Sequence, residues 1–304
     1  MAAFGLVPAD ADLLKILVSL YDEQVAAFYD PDEHALYTFN DLVLSSNLDK
    51  MLLSHELTHA LQDQNFDLQK FPLKVKDNDD LALATSALIE GDATVLMTRW
   101  YVENIDPGKM LGDIGAMLGQ NTTKLREAPP YMREMLLFPY TQGQQFVMTL
   151  FSSGGAEAVD AAFRNPPACT KDILHPDKFL RQRAKPERIA VPDLDSKDWR
   201  LIGNNVLGEF STRFMLQEQL GAFEATTLAQ GWNGDRYNVY ERGTNGPTGL
   251  VWVTAWTDDQ HATEFEAAYK KVAAKRGIPA KLDRAGKHVT IRQSSDDSFF
   301  AVSK

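Results

Sequence analysis

The sequence predicts an α+β protein: a mainly helical first part with a small β-hairpin near its start, then an α+β C-terminal part. Two patterns predict this. Apolar residues recur at helical spacing through about 8–29, 47–64 and 80–102, as expected for helices with one buried face. Short β-like runs bounded by Asp, Pro and Gly occur at 27–39 and again beyond residue 236, the mark of hairpin strands. Between the two parts lies a charged stretch from Arg183 to Asp198 that contains Pro186 and Pro192. The expected domains are therefore 1–185 and 186–304.

In chain order, Pro8 and Asp10 open a first helix whose stripe is Leu13, Ile16, Leu17, Leu20, Tyr21, Val25 and Phe28. Two β-like runs within Ala27–Phe39 flank Asp30-Pro31-Asp32, which predicts a hairpin. His34 at its turn reads as solvated, and a strand in this place offers a wall for an extended peptide. Asn47 or Asp49 starts the next helix, with Met51, Leu52, Leu57 and Leu61 as its apolar face.

That helix contains His55-Glu56-Leu57-Thr58-His59. Four residues apart, His55 and His59 stand one turn above each other, and two imidazoles so placed can bind one Zn²⁺. Glu56 between them can reach a metal-bound water as a general base. The alternative is a core helix with two ordinary histidines. After a loop, the acids of Asp77-Asn78-Asp79-Asp80 cap a second helix; a calcium site is the competing reading. Within that helix Glu90 sits in a small, apolar stretch, Ala87-Leu88-Ile89-Glu90-Gly91. A buried carboxylate needs a partner, and a metal is a suitable one. Asp92 faces another direction. Asp63 and Thr94 each lie four residues past a candidate ligand and are candidates to support it.

His55-Glu56-x-x-His59 followed by Glu90-Gly91-x-Ala93 resembles the gluzincin zinc metallopeptidases. His-Glu-Leu-Thr-His-Ala and Asp63 are similar to thermolysin, and Glu-Gly-x-Ala to the zinc aminopeptidases. His59-Ala60-Leu61-Gln62-Asp63-Gln64 resembles a group of uncharacterised bacterial envelope proteins. The resemblance implies a zincin-like catalytic domain with one Zn²⁺ held by His55, His59 and Glu90. The 30 residues between His59 and Glu90 are more than thermolysin-like enzymes have, so the connection differs. The aminopeptidase motif Gly-x-Met-Glu-Asn is absent, which points to an endopeptidase.

Residues 103–138 read as a helical insert with a Gly-rich Leu111–Gly115 and a break at Pro129-Pro130. Pro139-Tyr140-x-x-Gly143 before an apolar helix resembles the aminopeptidase segment whose tyrosine stabilises the tetrahedral intermediate; a phenol aimed at a developing oxyanion is a sound donor. The alternative is a tyrosine capping the helix with its ring in the core. Residues 160–185 read as proline-marked loop, with His175 either lining the cleft or structural. Beyond it the expectation is a helix at about 203–220, strands Tyr237–Glu241 and Leu250–Trp256, and a helix capped by Thr257-Asp258-Asp259 to about Lys275. Strands near Lys287–Arg292 and Ser298–Val302 end the chain. Trp252 and Trp256 share a strand face and read as sheet core.

The net charge of −11 is a poor match for nucleic acid, which needs a basic surface. No apolar run is long enough to span a bilayer. The single cysteine, Cys169, excludes an internal disulfide and a cysteine-built zinc site; with no activating base nearby it reads as structural. The opening Met-Ala-Ala-Phe-Gly-Leu-Val-Pro is too short and weakly apolar for a signal peptide. The resemblance implies a secreted or envelope protein whose leader is missing from this chain, while so few cysteines fit the cytosol equally. The expected activity is hydrolysis of a peptide or protein substrate. Two other readings stand beside it: a zinc-containing envelope protein without turnover, and a zinc hydrolase for another bond. Nothing sets the oligomeric state.

Overall fold

The computed structural model describes residues 1–8, 10–21, 27–38, 45–106 and 123–303. The chain is α+β. The first helix, α1 (Leu13–Tyr21), is shorter than its apolar stripe. Phe28 belongs instead to the hairpin, and Val25 lies outside the described residues. Strands β1 (Ala27–Asp30) and β2 (Ala35–Thr38) pair antiparallel, with Tyr29 opposite Leu36. Helix α2 (Asn47–Phe66) is capped by neither Asn47 nor Asp49 but by Ser46, whose Oγ accepts the Asp49 N–H at 3.3 Å. Asn78 Oδ1 caps α3 (Asp79–Asn104) by accepting from Leu81 N–H at 3.0 Å. The two helices run antiparallel, since Met51 clusters with Tyr101 while Gln62 reaches Ile89.

The Gly-rich stretch expected at 111–115 lies outside the described residues. A short α4 (Thr123–Glu127) precedes α5 (Pro130–Arg164), which takes Pro139 into its interior and bends at Gly154 and Gly155. The expected helix start at Pro139-Tyr140 is therefore mid-helix. Helices α3 and α5 cross in backbone contact. A Cβ on Gly91 would stand 2.3 Å from Gly143 C, and one on Gly143 would stand 2.1 Å from Ala87 O. Only glycine fits such an approach.

The proline-marked segment is not loop but two short helices, α6 (Thr170–Leu174) and α7 (Pro176–Arg181), the second opening on proline at its first position. A strand replaces the start of the expected 203–220 helix: β3 (Trp199–Asn205) precedes α8 (Gly208–Leu220) and α9 (Ala222–Ala229). Then come β4 (Trp232–Arg242), β5 (Thr248–Trp256), α10 (Asp259–Arg276), β6 (Ala280–Ala285), β7 (His288–Ser294) and α11 (Phe299–Val302). The strand expected at Ser298–Val302 is thus a helical turn. The five strands form one antiparallel sheet ordered β3-β4-β5-β7-β6. Trp252 and Trp256 are fully buried on it, and Trp256 stacks on Phe265 of α10 at 4.4 Å. One apolar cluster includes Phe4, Leu88, Phe146, Trp252 and Phe265, so residues on both sides of position 185 share a core.

Among the described residues, α3 alone is long and apolar enough by length and composition to cross a membrane. It packs instead between α2 and α5, and its Asp80, Glu90 and Asp92 are hydrogen-bonded inside the protein. That is how a core helix behaves.

Two buried carboxylates tie the parts together. Asp235 accepts from the N–H groups of Leu207 and Gly208 at the start of α8, and from Trp232 and Trp252 Nε1, each at 2.9 Å. Asp80 accepts from the backbone N–H and hydroxyl of Thr170. Burial, with smaller contributions from the Asp235 and Glu209 charges, pushes the Asp80 carboxyl up to about 7. Unfolded, it titrates near ~3.9. Between these values the folded chain holds a proton that the unfolded chain has released. Stability from this position is therefore full below about 4 and lost as pH rises through about 7, on the order of a few kcal/mol. The melting midpoint should fall from pH 5 to pH 8, and less steeply in Asp80→Asn. Equal slopes in thermal melts of the two proteins would remove Asp80 as the source.

Candidate metal centre

α2 and α3 face each other where their sequences place His55, His59 and Glu90. The two histidines are buried, with ring centroids 4.7 Å apart, edge to face. His55 Nε2 lies 3.1 Å from Glu90 Oε2 and 3.1 Å from His59 Nε2, and His59 Nε2 lies 3.5 Å from Glu90 Oε2. Ligand atoms on a tetrahedral zinc, at about 2.0–2.1 Å from the ion, stand roughly 3.3 Å apart. The triangle therefore has the size of three corners of such a site. Among the described residues no other group of three or more metal-binding side chains converges in this way.

Charge gathers here as well. Burial alone would raise the Glu90 carboxyl, but the hydrogen bonds and charges of both histidines hold it at about 2. Burial alone would lower His59, but Glu90 first, with Gln62 and the Glu56 charge, raises it to about 9. A proton thus sits where a cation fits, and a metal entering the group has to displace it.

The partner that aims His59 was not singled out by sequence reasoning. Gln62 is buried one turn further along α2. Its Nε2 donates to Ile89 O at 3.0 Å and to Asp92 Oδ2 at 2.9 Å. Two acceptors fix the amide nitrogen there, so Oε1, 2.9 Å from His59 Nδ1, accepts the Nδ1–H. Once the proton in the triangle is displaced, His59 Nε2 presents a lone pair to it. Spacing could have flagged Gln62, because residues three apart share a helix face. Asp92 does face away from the candidate ligands, as expected, yet it reaches His59 through Gln62. Thr94 is buried one turn along α3 from Glu90. Among the described residues its Oγ1 and His55 Nδ1 both lack a hydrogen-bond partner, so the two form no bond with each other.

Asp63 serves the hairpin rather than the candidate ligands. It accepts from Tyr29 Oη at 2.8 Å and Leu68 N–H at 2.9 Å, and pairs with His34 Nδ1 at 2.7 Å. Burial opposes its charge, but these partners hold its carboxyl below the usual value. His34 is solvated as expected, with its side chain 67% exposed, and also paired. The hairpin touches Glu56 too: Tyr29 N–H donates to Glu56 Oε2 at 2.9 Å. Burial raises the Glu56 carboxyl, which both histidines and this N–H only partly counter. No local pattern announces the Tyr29 contact, because it depends on how the hairpin docks.

Tyr140 projects from α5 beside His55, with ring centroids 6.3 Å apart, and is 43% exposed. It stands three residues before Gly143, as Glu90 stands one before Gly91. The glycines bring the helices together, and their neighbours then share one site. His175 stands elsewhere: its Nε2 is 2.7 Å from Glu209 Oε1 on α8. Cys169 is buried, and burial first of all lifts its thiol well above the ordinary value, in keeping with a structural side chain.

No curated protein and no solved structure matches the chain. Residues 199–303 match a family model described as a domain of unknown function, DUF8575. That match covers β3 to α11 and includes neither the metal triangle nor Glu56 and Tyr140.

Proposed function

We propose that the protein is a zinc-dependent metallopeptidase that cleaves peptide bonds within a chain. The observation that carries this reading is the convergence of His55 Nε2, His59 Nε2 and Glu90 Oε2, with Glu56 one residue from the first ligand. The donor set, two imidazoles and a carboxylate, suits a catalytic zinc, which uses three protein ligands and keeps a position open. When bound, zinc supplies Lewis acidity and lowers the pKa of water.

The chain's own residues supply the rest. Glu56 takes a proton from the attacking water at the carboxylate oxygen left free of Tyr29 N–H, then delivers it to the leaving nitrogen. Gln62 holds the His59 tautomer. Tyr140, open to solvent beside His55, offers its hydroxyl to the oxygen that gains charge. The hairpin beside Glu56 provides an extended edge along which a peptide can lie.

As-purified protein should carry about one zinc per chain. It should also cleave internal bonds of peptides whose amino termini are blocked. Metal analysis and a blocked-peptide library test both at once. Protein that takes up no zinc when supplied with it would sink the site; full zinc without cleavage would leave a binding protein.

A further inference from the structure

The bend in α5 builds a second site. Gly154 (φ −154°, ψ 21°) and Gly155 (φ 64°, ψ −157°) leave the helical conformation, and glycine tolerates the positive φ of the second. The segments before and after the bend, with α3 and the end of α2, enclose a cavity of about 300 Å³. Val95 and Leu96 of α3, Val147 and Phe151 before the bend, and Val159 and Phe163 after it form its apolar walls. Phe66 also lines it, stacked on Phe163 at 4.7 Å. Leu96, Met148 and Phe151 are exposed around it, so the apolar lining continues to the surface.

Its charged groups are Asp92, Asp160 and Arg99. Arg99 is engaged already, with Nε 2.7 Å from Glu103 Oε1 and its guanidinium over the Phe151 ring. Asp92 accepts one hydrogen bond, from Gln62. Asp160 makes no hydrogen bond or ion pair among the described residues. Two carboxylates thus face one apolar space, with no unengaged cation opposite them among the described residues. A pocket of this make-up selects by body and by charge.

We propose that this cavity binds a small amphiphile with an apolar body and a primary ammonium group, the ammonium set against Asp160 and Asp92. The body replaces water on the Val, Leu and Phe walls, and the ammonium supplies the donors the carboxylates lack. The site is distinct from the metal triangle, which Asp92 reaches only through Gln62.

The test is calorimetric titration of the full chain with octylamine, octanol and octanoate, ligands of equal length and different charge. Octylamine should bind saturably at one molecule per chain, about 10-fold tighter than octanol, with octanoate weakest. Asp160→Asn removes an unpaired, half-buried charge, so the fold should persist; it should bring octylamine down to the octanol affinity. Val147→Trp should abolish binding of all three, with a thermal melt to check folding. If that variant does not fold, Asp160→Asn decides alone. Equal affinity for amine and alcohol in the wild type, an octylamine affinity unmoved by Asp160→Asn, or no saturable binding would each overturn the proposal.

Discussion

Glu56→Gln should keep its zinc and its fold and lose nearly all peptide hydrolysis, a fall of about 10²–10⁴-fold. Glutamine preserves the size of the side chain and the helix, and its Oε1 can still accept the Tyr29 N–H now bonded at 2.9 Å. What disappears is the basic oxygen. The three ligand atoms belong to other residues, so metal content should not change. Tyr140→Phe serves as a graded companion. It should also keep zinc and lose about 10²–10³-fold in kcat, the usual result of removing one oxyanion donor. Zinc per chain and kcat on an internally cleaved, amino-blocked peptide read both variants. A Glu56→Gln protein as fast as wild type would overturn the mechanism. If both variants match wild type, the cleavage measured is not made at this site.

The second large effect concerns metal retention. Glu90→Ala removes the oxygen on which both histidines converge, at 3.1 and 3.5 Å. Zinc affinity should fall by more than the roughly 10–100-fold that losing an outer hydrogen-bond partner costs. Asp92→Ala supplies the scale, since Asp92 acts on His59 only through Gln62 and should stay within that smaller range. Competition with a chromogenic chelator measures both. Should Asp92→Ala prove the more damaging, the third ligand is Asp92 and the triangle is misassigned.

The residues that could be read in advance are those whose partners are close in sequence or dictated by helix geometry. His55 and His59 were legible because four residues make one turn. Glu90 was legible because a carboxylate in an apolar helix needs a partner. Asp63 shows the limit. It shares the spacing of a ligand's neighbour, but the docked hairpin brings Tyr29 and His34 to it, and those contacts prevail. Strand β3 was missed because Trp199–Asn205 is an edge strand with a largely exposed or half-buried pattern, held by pairing with β4. Phe299–Val302 looked like a strand from its apolar run. Asp296 and Ser298 turn the chain just before it, with Asp296 Oδ1 accepting the Ser298 N–H at 2.9 Å, and Phe299 anchors the resulting helix against Trp199. Local propensity gave way to tertiary packing in both places.

The crossing of α3 and α5 bears on how the centre ages and drifts. Where side chains separate two helices, small losses of packing let the helices creep together or apart. At Gly91 and Gly143 the peptide units already touch, so the gap cannot shrink and has no side chain to lose. The lever arms from that fulcrum are short: one residue to Glu90 and three to Tyr140. The spacing of these two groups is thus gauged against main chain, the stiffest reference a fold possesses. Substitutions elsewhere in the core can soften the protein a good deal before this gauge moves, and a methyl group at either glycine would throw it out at once.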